Sequence, residues 1–254
     1  MHFEAVVIFF LLLTYQLLKT QKNHWAAVAF SAAVLTKLLP LIFLPLIFNY
    51  LGLKKSLKFG LLVFIICVGS GVVFFDIQLL LHLFASVKLY FNNFEFNASI
   101  YYLLREVGYW AVGYNIIGFT GKLLSAISLL LILYLSFGSS ILGKKLTPIQ
   151  RVSLILSCYL FFATTVHPWY VTPLIAISAF GGYRFVLVWS VLIPFTYLSY
   201  QTIPYQENLW IVLFEYLIVI GFFLNEKLSI INFSNKKGKK EAFLFKKYKN
   251  LWAK

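Results

Sequence analysis

The sequence places an isolated lysine and a histidine beside prolines within long apolar runs. Lys37 begins the sequence Lys-Leu-Leu-Pro, and His167 begins the sequence His-Pro-Trp-Tyr. A charge among apolar residues is costly in a membrane, so we expect Lys37 to face a wet cavity or an anionic partner, or else to snorkel to the headgroups. Trp169 and Tyr170 either form a site with His167 or belong to an interfacial aromatic belt.

A polar segment between two apolar runs combines aromatic rings with amides and an acid. Glu95, Asn97 and Tyr101 lie in this segment. Such residues suit sugar recognition, because pyranose rings stack on aromatic faces while Asn and Glu hydrogen-bond to hydroxyl groups. An amphipathic surface helix over residues 91–104 is the alternative, and both can be true. Arg105 follows as a solvated charge or a further site residue.

Motifs of soluble enzymes give no further site. The sequence has no phosphate-binding glycine loop, no GxSxG and no HExxH. No cluster of ligands requires a metal, so metal dependence is left open. Glu215 lies inside the last apolar run, where we expect it to pair across helices or to be protonated. Glu207, just before that run, is expected to be a solvated charge at the outer face.

The composition requires a membrane to position these residues. Of 254 residues, 61% are hydrophobic and 12% are charged, and the mean hydropathy is +0.85. The apolar runs lack the alternation of barrel strands, so we predict an all-α polytopic integral membrane bundle of eight or nine transmembrane helices. The spans are predicted near residues 3–18, 25–35, 38–48, 59–75, 123–137, 152–166, 169–180, 185–200 and 209–224.

Two apolar runs are too long for one ordinary span and are interrupted by proline. Residues 25–48 break at Pro40, and residues 152–180 break at Pro168. Proline removes a helical hydrogen bond, so each run is predicted to form a pair of short helices that meet toward one face of the membrane. Irregular backbone at such depth normally lines a cavity.

The basic residues predict the orientation. Alternate threading puts most lysines and arginines on one side, which the positive-inside rule makes cytoplasmic. The transmembrane domain is predicted to cover residues 1–226, with an outer loop near 76–122, in a cytoplasmic (inner) membrane. Residues 227–254 form a basic cytoplasmic tail that either binds anionic lipids or serves as a disordered solubilising segment. The net charge is +14, but much of this positive charge lies in the tail. We therefore do not expect nucleic acid as a partner.

Three segments together resemble the polyprenol-phosphate-dependent mannosyltransferases of the GT-C class. They are the residues 37–40, 96–101 and 166–170. The resemblance implies transfer of a mannosyl or other hexosyl group, with inversion, from a polyprenyl-phosphate sugar at the outer face. It implies that Lys37, His167 and Arg105 bind the donor phosphate. It also implies that a second group of residues binds sugar or acceptor: Trp169, Tyr170, Glu95, Asn97 and Tyr101.

The family's catalytic acid usually lies in a first outer loop that has no counterpart in this sequence. Glu4 is a weak substitute as catalytic base, and the start of the chain resembles the middle of a family sequence. We therefore expect a fragment that lacks the N-terminal catalytic loop. A transporter or lipid flippase is the first alternative, since broken helices and buried charges serve transport equally well. A non-catalytic membrane subunit is the second.

Overall fold

A computed structural model describes residues 3–72, 78, 81–82, 85–86, 94–138, 146–181, 183–201 and 206–226. Over these residues the chain is a helical bundle, and its regular elements are all helices. The predicted cytoplasmic tail lies outside the described residues. The α-helices run as follows: α1 Glu4–Lys19, α2 Asn23–Thr36, α3 Leu44–Leu51, α4 Leu53–Val72, α5 Ile100–Val112, α6 Ile117–Phe137, α7 Pro148–Phe162, α8 Thr172–Ser178, α9 Phe185–Leu192 and α10 Leu209–Glu226.

Three of these helices, α4, α6 and α10, are long and apolar enough to cross a membrane. Most of their apolar side chains point outward: Leu61 is 60% exposed, Leu130 66% and Phe214 67%. A bundle that presents large apolar side chains on its outside matches a lipid solvent. The prediction of a membrane bundle therefore gains support, whereas the count of eight or nine crossings stays a prediction.

The interior of the bundle is rich in small and weakly polar residues. Ala26, Ala27 and Ala33 of α2 are fully buried and let α1 approach closely. Ser31, also fully buried, donates its hydroxyl to the carbonyl of Ala27 at 2.8 Å. Small residues at helix contacts and hydroxyls satisfied within their own helix are typical of packing in membranes.

Both predicted helix breaks are confirmed. Helix α2 ends at Thr36, Lys37 is extended, and a 3₁₀ turn spans Leu39–Phe43 before α3 begins. In the second break α7 ends at Phe162, and a 3₁₀ turn spans Pro168–Val171 before α8 begins. The proline of each sequence lies at the start of its 3₁₀ turn, where it has no hydrogen bond to lose.

The predicted outer loop, residues 76–122, is more helical than expected. It contains α5, and α6 begins at Ile117 rather than near residue 123. Gly113 turns the chain with a φ of +79°, and the Asn115 side chain then accepts a hydrogen bond from the amide of Ile117 at 3.0 Å. A hydrogen bond of this kind helps to start a helix, but in a sequence it indicates the start less strongly than a run of apolar residues does. The amphipathic helix predicted over residues 91–104 begins later, and residues 91–93 lie outside the described part.

Arg151 joins helix ends at the end of the bundle that also carries Lys19 and Lys55, called the lysine-rich end below. Its guanidinium donates to the carbonyls of Leu135 at 2.7 Å and Gly138 at 2.6 Å, at the end of α6. Asn49 of α3 donates to the neighbouring carbonyl of Ser136 at 2.7 Å. These bonds satisfy carbonyls that a helix end leaves without partners.

We expect Arg151→Met to lower the free energy of unfolding by about 1.5–3 kcal/mol, the range for hydrogen bonds made by charged groups. Arg184→Met is the matched control, because the Arg184 side chain is exposed. Thermal or denaturant unfolding in detergent measures both. Equal effects of the two substitutions would show that Arg151 is not a structural cap.

Candidate functional site

An ion pair joins the beginning of α1 to the first helix break. The Nζ of Lys37 lies 2.6 Å from Oε1 of Glu4, and it also lies 4.2 Å from the centre of the Tyr170 ring in the second break. The Glu4 side chain is 8% exposed and that of Lys37 is 30% exposed. The lysine therefore has an anionic partner, one of the environments predicted for it, and an aromatic face that favours a cation.

Glu4 has the environment of an acceptor carboxylate. It lies in the first turn of α1, where the helix dipole favours an acid. Its second oxygen, Oε2, is buried and receives no hydrogen bond within the described part of the chain. A carboxylate with one oxygen held by an ammonium and the other without a donor retains the capacity to accept a proton or a hydroxyl hydrogen.

His167 lies in an aromatic cluster next to this pair. Its ring stacks on Trp169 at 4.4 Å between centroids and on Phe96 at 4.7 Å, and it meets Tyr170 edge-on at 5.4 Å. The amide of Val166 donates to the carbonyl of Phe96 at 2.8 Å, which fixes the segment containing Phe96 against the break. The imidazole is thus held in one orientation by packing from both faces.

The structure brings four of the predicted site residues together with Glu4. Tyr170 contacts both Lys37 and His167, and Trp169 stacks on His167. Glu4, Lys37 and Tyr170 come from three segments distant in sequence. The meeting of these residues is shown, whereas their roles toward phosphate and sugar stay predictions.

Arg105, the third predicted phosphate ligand, belongs to a separate cluster on α5. It lies 2.6 Å from Glu95, and its guanidinium stacks over the Tyr102 ring at 4.5 Å. Asn115 donates to the same Glu95 carboxylate at 3.1 Å. The charge of Arg105 is therefore balanced by Glu95, and both side chains are engaged with α5 and its following turn.

The Tyr101 hydroxyl donates a hydrogen bond to Glu95, and its side chain is fully buried. Burial, together with this bond to the carboxylate, raises the pKa of Tyr101, which keeps the phenol protonated as a donor. The assignment of Tyr101 to sugar binding does not fit this conformation. The tyrosine instead positions Glu95, which remains partly exposed.

Asn97 is also fully buried and faces the last span rather than an open site. Its Nδ2 donates to both oxygens of Glu215, at 3.2 and 3.4 Å, and its carbonyl accepts from the Tyr216 hydroxyl at 2.8 Å. Trp189 donates to Glu215 at 2.7 Å. Because Asn97 is fully buried and its side chain is bonded to Glu215, a sugar cannot reach it in this conformation, in which its φ is +45°.

Two expectations about acids are thereby decided. Glu215 is paired across helices, as expected, although its partners are the neutral Asn97 and Trp189. Glu207, expected to be a solvated charge, instead accepts from the backbone amide of Asn97 at 2.6 Å and from the Tyr102 hydroxyl. Sequence reasoning missed it because these partners are more than a hundred residues away.

Glu207 gives the protein a pH-dependent stability. Burial raises the pKa of Glu207 above its ordinary value, against the opposing effect of its hydrogen bonds. The folded state thus holds this proton more tightly than the unfolded state. The resulting stability is full below the unfolded pKa and is lost as the pH rises through the folded pKa.

We therefore expect Glu207→Gln to flatten the fall in melting temperature that accompanies a rise in pH above the ordinary glutamate pKa, because Gln keeps both contacts without a charge. Glu106→Gln, at an exposed glutamate, is the control and should leave the slope unchanged. A wild-type slope in the Glu207 variant would contradict the assignment.

Within the described residues, no group of three or more histidine, cysteine, aspartate or glutamate side chains is arranged to hold a metal ion. Comparison with known protein families, with curated proteins and with solved structures finds no match. The functional assignment therefore depends on the geometry of the residues themselves and on the resemblance of the three segments.

Proposed function

We propose that the protein is a membrane hexosyltransferase, which moves a mannosyl or related hexosyl group from a polyprenyl phosphate to an acceptor hydroxyl. One observation carries the proposal. Glu4, Lys37, Tyr170 and His167, drawn from both helix breaks and the beginning of α1, meet in one cluster. This cluster combines a carboxylate acceptor, a cation and aromatic faces, which are the groups that such a transfer requires.

The proposed reaction gives each group one task. In the proposed substrate complex the Glu4 side chain turns its Oε2, which is buried in this conformation, toward the acceptor. That oxygen takes the proton from the acceptor hydroxyl, whose oxygen forms a bond to the anomeric carbon of the sugar. The bond from that carbon to the phosphate oxygen breaks, and polyprenyl phosphate leaves with the electron pair. Lys37, together with His167, stabilises the leaving phosphate. Attack opposite the leaving group inverts the configuration of the sugar.

Trp169 and Tyr170 are proposed to hold the sugar, since aromatic faces suit pyranose rings. Glu95, partly exposed on its separate cluster, is proposed as an acceptor ligand. The finer membrane assignment is part of the same proposal: eight or nine crossings of a cytoplasmic membrane, with the cluster at the outer face and the C-terminus in the cytoplasm. The separation of charged groups along α1, with Glu4 at one end and Lys19 at the other, supports this orientation.

Transport is the second candidate, and the buried network around Glu215 favours it. An ionisable residue inside a membrane span, hydrogen-bonded by Asn97 and Trp189, is a common element of proton and ion pathways. The two candidates differ in what happens to a lipid-linked sugar, because a transferase cleaves it and a flippase moves it intact.

The test uses purified protein reconstituted in liposomes with radiolabelled polyprenyl-phosphate mannose, and with the glucose and galactose analogues. Release of polyprenyl phosphate in the presence of a membrane extract as acceptor supports transfer. Movement of intact lipid-linked sugar between leaflets, without release of polyprenyl phosphate, overturns transfer in favour of transport. If the protein shows neither activity, both candidate functions are overturned and a non-catalytic subunit is favoured.

A further inference from the structure

A large cavity extends from the middle of α1 to the end of the bundle that lies away from the proposed active site. Its volume is about 670 Å³, and it opens between α1, α3, α7 and α8. Glu4 and Lys19 occupy the two ends of α1, which places the cavity rim about 22 Å from the Glu4 cluster at 1.5 Å per residue. The proposed reaction does not use this space.

The walls of the cavity are apolar. Leu11 on α1, Leu46 and Ile47 on α3, Val152 on α7 and Ile177 on α8 contribute them. The volume falls within the range of about 300–1,000 Å³ in which proteins hold ligands with a few tens of heavy atoms. A single acyl chain has this size and this chemistry.

The rim of the cavity is cationic. Lys19 and Arg151 both line it, and no aspartate or glutamate is among its lining residues. Within the described part of the chain neither cation forms an ion pair, and Arg151 bonds only to carbonyl groups. Asn49 and Tyr50 add polar groups at the same level. The rim therefore complements an anion next to an apolar chain.

We propose that this cavity binds one anionic phospholipid, with an acyl chain between α1, α3 and α7 and its phosphate at Lys19. A bilayer supplies such a molecule at high local concentration. Lysines of a membrane protein are attracted to anionic headgroups, so we expect these headgroups to lie at the lysine-rich end. The bound lipid joins α1 to the helix ends that Arg151 and Asn49 hold together. The inference does not depend on the proposed transfer reaction.

The experiment is native mass spectrometry of the whole protein after reconstitution in nanodiscs of phosphatidylglycerol, phosphatidylcholine or an equal mixture. We expect one phosphatidylglycerol to remain bound per chain, with phosphatidylcholine lost. Lys19→Met should lower phosphatidylglycerol retention about fivefold, the effect of one basic residue at a lipid surface. Lys22→Met is the matched control, because Lys22 is exposed nearby but does not line the cavity.

A second variant tests whether the apolar walls of the cavity hold the acyl chain. Ile149 lines the cavity and is partly buried, so Ile149→Trp should occupy space and displace the chain without altering the charge of the rim. Gel filtration and thermal unfolding check that each variant is folded. If the tryptophan variant does not fold, the proposal is tested by comparing lipid retention in the Lys19 and Lys22 variants. Equal retention of both lipids, or equal effects of the two lysine substitutions, would overturn the proposal.

Discussion

Replacing Glu4 by Gln is expected to slow hexosyl transfer by about 10²–10⁴-fold, the usual contribution of a general base. Gln accepts the hydrogen bond from Lys37 but cannot take a proton at Oε2, so the packing of α1 against the first break should persist. Release of radiolabelled polyprenyl phosphate measures the effect. Thermal unfolding of the same preparations shows whether stability has changed.

The matched control is Glu106→Gln, which removes an exposed carboxylate outside the Glu4 cluster. It should retain wild-type transfer. A Glu4 variant that transfers at the wild-type rate would remove Glu4 from the mechanism and leave the proposed reaction without its base. Equal losses in both variants would indicate a general effect of acidic charge rather than a base.

Asn97→Asp is expected to have the largest effect on stability. The substitution changes almost no volume, and Asp tolerates the left-handed backbone at this position. It replaces the amide that donates to Glu215 by a carboxylate, which leaves two buried acids face to face. We expect a loss of about 3–5 kcal/mol in unfolding free energy at neutral or higher pH, as for a broken buried charge interaction.

The double variant Asn97→Asp with Glu215→Gln provides the decisive control. It exchanges the amide and the carboxylate, so the amide introduced on α10 can donate to the carboxylate introduced at position 97, which restores the contact with its direction reversed. We expect it to recover most of the lost stability, as measured by unfolding in detergent with increasing dodecyl sulfate. A double variant no more stable than Asn97→Asp alone would show that the two side chains are not coupled.

The positions of the helix breaks could be predicted because they have local causes. Pro40 and Pro168 each interrupt an apolar run, and proline limits a helix whatever surrounds it. The later start predicted for α6 has a different origin. The helix starts after the turn at Gly113 and the hydrogen bond to Asn115. These two residues are a weak pattern in the sequence, so the apolar run alone predicts a start several residues too late.

The lengths of the first two helices indicate the ion pair of Glu4 with Lys37, a pattern that the sequence contains beside the isolated lysine. Helices α1 and α2 have similar lengths, 16 and 14 residues, and a short turn joins them. Two such antiparallel helices bring the beginning of the first beside the end of the second. An acid and a lysine at those places must therefore meet, and a charge with few polar neighbours requires such a partner.

The inward rotation of Asn97 could not be predicted in the same way. It depends on a positive φ, on the pairing of Phe96 with residues 164 and 166, and on Glu215 from a distant helix. None of these follows from a local pattern. Residue types that suit sugar recognition also suit a buried polar network, and only tertiary contacts distinguish the two uses.

The most direct test measures polyprenyl phosphate released from a polyprenyl-phosphate hexose by wild type, Lys37→Met and His167→Gln, with Lys122→Met as a control at an exposed lysine of α6. Thermal unfolding of the Lys37→Met protein checks that its loss of activity does not arise from misfolding when the buried Glu4 carboxylate is left without its partner. We predict that release is abolished without Lys37 or His167 and is unchanged in the control. Wild-type release from both single variants would contradict the assignment of this cluster as the phosphate site of a lipid-linked hexosyltransferase.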